Sequence, residues 1–321
     1  MKKSFYSVLG LLFVVILSAC GGNNSKYYFA VEEADQDSSW VYWVTVETKK
    51  DKMVDIKWSA FNIAGDSDEK FLGKDKYTAS VEGLYDMHPG VADEDKLWWH
   101  EQADILIENL LETQDVNARE PIPSGATIVT DNFYELVEKA LASEPVKKGK
   151  YQDGYHFLTL KDSPAESKES IEFYDPVKEE VVETGAFDSY TFGSFVVLNG
   201  SIVYAYYNNV YYGYRISLDE EGKIVRHEGK VVTEVYNPDK VSGPKLYKTK
   251  NQLGISYQMS LIMGVEEYYV QARNAGLYLV EHQSFPELVE NDSGYQIIDG
   301  FTGCTIDADD FRTLWLELPK K

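Results

Sequence analysis

The sequence predicts an α+β fold in which one unit, a twisted antiparallel sheet packed with helices, is built twice along the chain. Three observations predict it. Each half carries a hairpin signal with period-two alternation, each hairpin is followed by an amphipathic helical segment, and each half closes on a Gly-containing turn that leads into another helix.

Before the first unit, Lys2 and Lys3 precede an apolar run from Val8 to Leu17 and then the small residues Ser18 and Ala19, the order of a secretory signal. That run is too short to span a bilayer. Leu17-Ser18-Ala19-Cys20 resembles the lipobox, in which the Cys sulfur receives diacylglycerol and the bond before it is cut. An ordinary secretory signal with an accidental Cys is the plainer alternative, and the spacer Gly21-Gly22-Asn23-Asn24-Ser25 favours the lipobox. The expectation is therefore a lipoprotein signal peptide over 1–19 and a lipidated tether over 20–26. Lipid on Cys20 would hold the body on the extracytoplasmic face of the cell membrane, since two acyl chains anchor stably where one does not.

Cleavage removes two lysines and no acid, so the formal charge moves from -22 to -24. Such a balance argues against nucleic acid, which needs a basic footprint, and against docking on anionic headgroups. With Cys20 lipidated, Cys304 is the remaining thiol, so stability rests on packed cores rather than a disulfide.

The first hairpin is read in Tyr42-Trp43-Val44-Thr45-Val46 and Val54-Asp55-Ile56-Lys57-Trp58, around the turn-rich 49–52. The second is read in Phe195-Val196-Val197-Leu198 and Ile202-Val203-Tyr204-Ala205-Tyr206, around Asn199-Gly200, a pair suited to the positive φ angles of a type I′ turn. Ala103, Leu106, Ile107, Leu110 and Leu111 fall at helical spacing, as do Ala272, Ala275, Gly276, Leu279 and Val280. Setting Gln102-Ala103 on Gln271-Ala272 brings Leu110 onto Leu279, Glu112 onto Glu281 and Gln114 onto Gln283 without a gap. The closing turns match too: Ser124-Gly125-Ala126-Thr127-Ile128 precedes Phe133 as Thr302-Gly303-Cys304-Thr305-Ile306 precedes Phe311. Common order over three units indicates a diverged tandem duplication. The expected boundaries are a first domain over 27–143, a linker over 144–150 and a second domain over 151–321 with extra hairpins, placed at Tyr211-Tyr212-Gly213-Tyr214 and around Glu221-Gly222.

In each half the Gly turn opens a helix, because Phe133, Leu136, Val137, Ala140 and Leu141, and likewise Phe311, Leu314, Trp315 and Leu318, share a helical face. Thr127 and Thr305 thus precede helix N-termini, where free N–H groups favour a phosphate. Gly125 and Gly303 permit close approach there.

These residues resemble the FMN-binding domain family, in which a flavin transferase esterifies FMN through its phosphate to the last Thr of Asp-x-x-(Ser/Thr)-Gly-Ala-Thr. Asp299-Gly300-Phe301-Thr302-Gly303-Cys304-Thr305 matches with Cys304 in place of Ala, and Ser124-Gly125-Ala126-Thr127 matches the tail with Pro121 in place of Asp. The resemblance implies two FMN groups, on Thr127 and Thr305, with Ser124, Gly125, Ala126, Asp299, Thr302, Gly303 and Cys304 shaping their sites. The architecture is similar to the two-domain extracellular electron-transfer lipoproteins of Gram-positive bacteria. It implies an electron carrier, with a membrane quinol or NADH dehydrogenase as donor and ferric iron, free flavins or other external acceptors, and allows terminal reduction through FMN itself.

Plainer readings stand beside this one. Asp131 and Asp309 read as helix first-turn residues, and the many Tyr and Trp residues as strand and core material. His88, His100, His156, His227 and His282 show no paired ligand spacing, so no metal is expected. Cys304 reads as a small apolar residue. No Walker, Rossmann or Ser/His/Asp arrangement is visible, and no catalytic residue is assigned. The rival from another class is a solute-, glycan- or host-binding surface lipoprotein without flavin.

Overall fold

A computed structural model of the chain describes residues 25–33, 40–63, 70–71, 73–87, 97–119, 128–163, 165–235, 243–299 and 305–321. Residues 1–24, with the expected signal peptide and Cys20, the span 120–127 with Ser124, Gly125, Ala126 and Thr127, and the span 300–304 with Thr302, Gly303 and Cys304 lie outside the described residues. Among the described residues no helix is long and apolar enough to cross a membrane.

The first half has a three-stranded antiparallel sheet of β1 (Ser25–Val31), β2 (Trp40–Lys49) and β3 (Lys52–Asn62), with β2 central. The short α1 (Lys76–Val81), then α2 (Trp99–Thr113) and α3 (Thr130–Leu141), follow. Alternation along the strands sends Val44, Val46, Ile56 and Trp58 to the helices, where they pack with Trp99, Leu106 and Leu110 of α2 and Phe133 and Val137 of α3.

In the second half, β4 (Gly154–Thr159) leads to four short strands, β5 (Ala165–Lys168), β6 (Glu172–Asp175), β7 (Glu180–Glu183) and β8 (Phe187–Ser189). The hairpin β9 (Thr191–Leu198) and β10 (Ser201–Tyr214) comes next, then β11 (Arg226–His227), β12 (Lys230–Val231) and β13 (Leu246–Thr249). α4 (Lys250–Leu253), α5 (Met259–Met263), α6 (Tyr268–His282), the pair β14 (Leu288–Glu290) and β15 (Gln296–Ile298), and α7 (Asp309–Leu316) complete the chain. Its main sheet runs β13-β10-β9-β4. Phe195, Val197, Ile202, Ala205 and Tyr207 face α6 and α7, packing on Ala272, Ala275, Leu279, Phe311 and Leu314.

The fold is α+β, and the two main hairpins and the helix ends packed on them match in detail. Lys50 and Asp51 both have positive φ, as do Asn199 and Gly200. Past each turn the pairing slips by one residue, at Val54 and at Val203, so both hairpins carry a bulge at the same distance from the turn. Gln114 and Gln283 occupy left-handed positions at the ends of α2 and α6. Gln114 accepts from Met53 N at 2.8 Å and donates to Met53 O at 3.0 Å; Gln283 does the same to Ile202 at 2.9 and 2.8 Å. Each glutamine pins a helix end to the strand that leaves the turn.

The other face of each sheet meets its fellow. Val41, Trp43, Phe61 and Ile63 form one buried cluster with Phe192, Val196, Tyr206 and Val210, giving the layer order helices, sheet, sheet, helices. Segment 144–150 has no helix or strand, yet Val146 N donates to Tyr27 O at 2.7 Å and Gly149 N to Asn199 O at 2.9 Å, tying it to both halves. The expected hairpin at Tyr211–Tyr214 is instead the continuation of β10, whereas Gly222 does turn the chain, at φ 76°. Hairpin material also lies earlier, in β5 to β8.

Candidate functional site

Matching side chains stand around the start of the last helix in each half. In the second half the buried Gln271 of α6 is the organiser. Its carboxamide oxygen accepts from Thr305 N at 2.7 Å and Ile306 N at 3.2 Å, while its nitrogen donates to Glu266 O at 2.6 Å and reaches Thr305 Oγ1 at 3.5 Å. In the first half Gln102, also fully buried, donates to Leu97 O at 2.8 Å and accepts from Ile128 N at 3.3 Å. Ile128 and Ile306 follow Thr127 and Thr305 in sequence, so the two glutamines hold equivalent backbone.

A lysine stands at the first position of the helix that follows each main hairpin, Lys76 in α1 and Lys250 in α4. Equivalence comes from pairing: Phe61 of β3 bridges Asp75, and Val210 of β10 pairs with Thr249. Lys76 is 4% exposed and donates to Tyr42 Oη. Its ammonium lies over the rings of Tyr42 and Tyr85, each at 4.5 Å, Trp99 at 5.4 Å and Trp40 at 5.5 Å. Burial pulls its pKa down to about 7, and Glu32 pulls it back up. Ring faces act in the same direction as Glu32, because they favour the ammonium. Lys250 is half-buried, over Tyr268 at 4.7 Å, Tyr257 at 4.8 Å and Tyr211 at 5.8 Å.

Each lysine has an acid in its neighbourhood, supplied by different elements. Glu32, just after β1, accepts from Tyr42 N at 2.6 Å and from Asn132 Nδ2 at 2.7 Å. Asp310, which follows Asp309 in α7 as Asn132 follows Asp131 in α3, accepts from Thr191 Oγ1 at 2.5 Å. Burial raises the carboxyl pKa of both; the lysines oppose that rise, while Asp307 and Asp309 add to it at Asp310.

Of the residues singled out in the sequence, Thr305 is half-buried with a hydroxyl beside Gln271, and Asp299 is an exposed turn residue whose N–H donates to Glu287 O at 2.9 Å. Ser124, Gly125, Ala126, Thr127, Thr302, Gly303 and Cys304 lie outside the described residues. Asp131 and Asp309 are first-turn residues paired with Arg119 and Arg312. Thr305 and Ile306 donate to Gln271, Ala308 to Gln296 O and Asp309 to Asp307, so these amides ahead of and at the start of α7 already have partners. A phosphoester on Thr305 would rest on the half-buried hydroxyl beside Gln271 rather than on these bonded amides. Among the described residues no cluster of His, Cys, Asp and Glu is arranged to hold a metal ion. A charged groove lined by Glu169, Glu172, Glu183, Arg226 and Lys230 does not border Thr305 or Gln271.

Sequence reasoning used Gln102 and Gln271 only as register marks, although their identity in both halves was the signal. Lys76 and Lys250 carried no local signal, since KYTASV and KNQL share nothing beyond the lysine.

No protein-family model matches the chain, and no curated protein matches it. Among solved structures it is similar to a protein from Clostridium thermocellum determined by solution NMR, with 32% identity over 36% of this chain and 88% of that one and a TM-score of 0.25.

Proposed function

We propose that the chain is a lipid-anchored extracytoplasmic electron carrier of the FMN-binding domain type, holding FMN through phosphoesters on Thr127 and Thr305. One observation supports the reading: Gln271 holds the backbone of Thr305 and Ile306, and Gln102 holds that of Ile128, the residue that follows the first motif as Ile306 follows the second. Gln271 fixes Thr305 by its N–H, leaving the Oγ1 to carry a linkage. Bound FMN would supply the redox chemistry, and the protein the position and the electrostatics. A covalent link suits an exported protein, whose surroundings dilute free FMN, and lipid on Cys20 would keep the carrier near a membrane quinol or NADH dehydrogenase. Ferric iron and free flavins are the acceptor class, and a flavin transferase is the maturation partner.

A second reading, a solute-, glycan- or host-binding lipoprotein without flavin, is favoured by the acids around Thr305. Asp307, Asp309 and Asp310 all lie within five residues of it in sequence, where acids repel a phosphate.

The test is intact mass after co-expression with a flavin transferase, for the parent, Thr127→Ala, Thr305→Ala and the double variant. Two FMN-sized additions are expected, one lost in each single variant and both in the double. An unmodified parent would leave the second reading in place.

A further inference from the structure

Lys250 follows the N-cap Thr249, whose side chain accepts from Gln252 N, so its backbone is fixed while its ammonium lies against Tyr257 and Tyr268. Tyr268 opens α6 one turn ahead of Gln271, the residue that holds Thr305. Asp310, five residues beyond Thr305, lies close enough to Lys250 for the ammonium to act on its carboxyl. Tyr268 and Gln271, three residues apart on α6, thus link the lysine on one side to Thr305 on the other. The comparison with Lys76 sharpens the point: Lys76 is sealed among four rings, whereas Lys250 is half-buried and has a face left to solvent.

Resting on the flavin reading above, we propose that Lys250, backed by Tyr257 and Tyr268, is the cation against which the ring system carried on Thr305 packs, and that it stabilises the reduced form of that ring. The chemistry balances with the donor already named. Two electrons from the quinol and one proton convert a neutral oxidised ring into a reduced ring with one negative charge. A fixed ammonium beside that charge, in a partly desolvated site, favours the reduced form more than it would in water. Tyr268 is buried beneath the ammonium and fixes it, while the half-buried Tyr257 gives a flat aromatic ring a packing edge.

The experiment uses the flavin-loaded chain, with loading read by intact mass and the reduced fraction read by absorbance in a redox-buffered titration. Lys250→Met is expected to load like the parent at Thr305 and to lose about tenfold in the reduced-to-oxidised ratio, about 30 mV for a two-electron couple. Lys250→Arg restores the ratio. Lys245→Met, which removes an exposed charge lying over Tyr247, leaves it unchanged. Using Thr127→Ala as the background isolates the flavin on Thr305. A loaded Lys250→Met protein with the parent ratio overturns the proposal and spares the carrier reading; a parent without FMN overturns the carrier reading and the proposal together. Should Lys250→Met not fold, acetylation of the native lysine decides. Lys250 is expected to react more slowly in the loaded protein than in Thr305→Ala, by peptide mass mapping, and equal reactivity overturns the proposal.

Discussion

Lys76 brings an ammonium into the core, and its pKa of about 7 against an ordinary 10.5 makes stability depend on pH. Below about 7 the lysine is charged in both folded and unfolded chains, and the cost of burying it is fully present. Between about 7 and 10.5 the unfolded chain binds more protons, so stability rises with pH, by up to about 1.4 kcal/mol per unit. Glu32, Tyr42 and Tyr85 are the titratable groups around it. Urea unfolding at pH 7 and pH 9 is expected to show the parent gaining on Lys76→Met, which keeps the length and loses the charge; a constant difference would sink the assignment. Gln271 offers a second residue-scale test. Gln271→Leu strands Thr305 N, Ile306 N and Glu266 O; the buried Ile306 N alone costs about 1–3 kcal/mol, and the part-buried pair, open to water, adds less. Gln271→Glu, which keeps the acceptor and loses the donor, is expected to fall between Leu and parent in denaturant midpoint. The place of Thr305 just ahead of α7 was legible in the sequence because the helical spacing of Phe311, Leu314 and Leu318 is a local signal. The lysines were not, because what makes them alike is strand pairing far away in the chain, at Phe61 and Val210.

At the scale of elements, the helices and both main hairpins were legible because their signals are local: helical spacing in α2, α3, α6 and α7, and the turn pair Asn199-Gly200. The length of β10 was not. Asn208 and Asn209 are turn-forming types, yet both are buried within the strand, Asn208 donating to Ile63 O at 3.3 Å and Asn209 to Thr191 Oγ1 at 3.2 Å. Tertiary partners supplied what the residues would otherwise have sought in a turn. Strands β5 to β8 escaped notice for a related reason, since their short, charged sequences carry little alternation. The seating of α6 on β10 gives the element-scale prediction. A Cβ on Gly276 would lie 2.2 Å from Ala205 O, so α6 sits too near the sheet backbone for any side chain there. Gly276→Ala forces the helix outward and is expected to cost about 1–3 kcal/mol by denaturant unfolding. Leu277→Ala, on the exposed face of the same helix, is expected to stay within about 0.5 kcal/mol. Equal effects would mean that α6 tolerates a shift that its close approach to Ala205 argues against.

At the scale of the molecule, the sequence reads as two units with a linker, and the structure adds what no periodicity could reveal: both faces of each sheet are apolar. One face meets the unit's own helices, and the other meets the partner sheet, so Val41, Trp43, Phe61, Phe192, Val196 and Tyr206 are buried only when the halves are together. Phe61 shows the dependence most directly. It lies on β3 in the first half, wholly buried, with ring centroids 5.0 Å from Tyr204 and 5.3 Å from Tyr206 of the second. Separating the halves would expose this seam to water, at about 25 cal/mol for each Å² of apolar surface, and would also break the hydrogen bonds that tie segment 144–150 to Tyr27 and Asn199. The mature chain is therefore expected to unfold as one cooperative unit, with calorimetric and van't Hoff enthalpies in agreement. Phe61→Ala removes the ring from the seam, costs about 3–5 kcal/mol, and is expected to weaken that agreement by letting the halves unfold apart. Two resolved transitions in the parent would show that the seam does not couple the halves, and that each is held by its own helices alone.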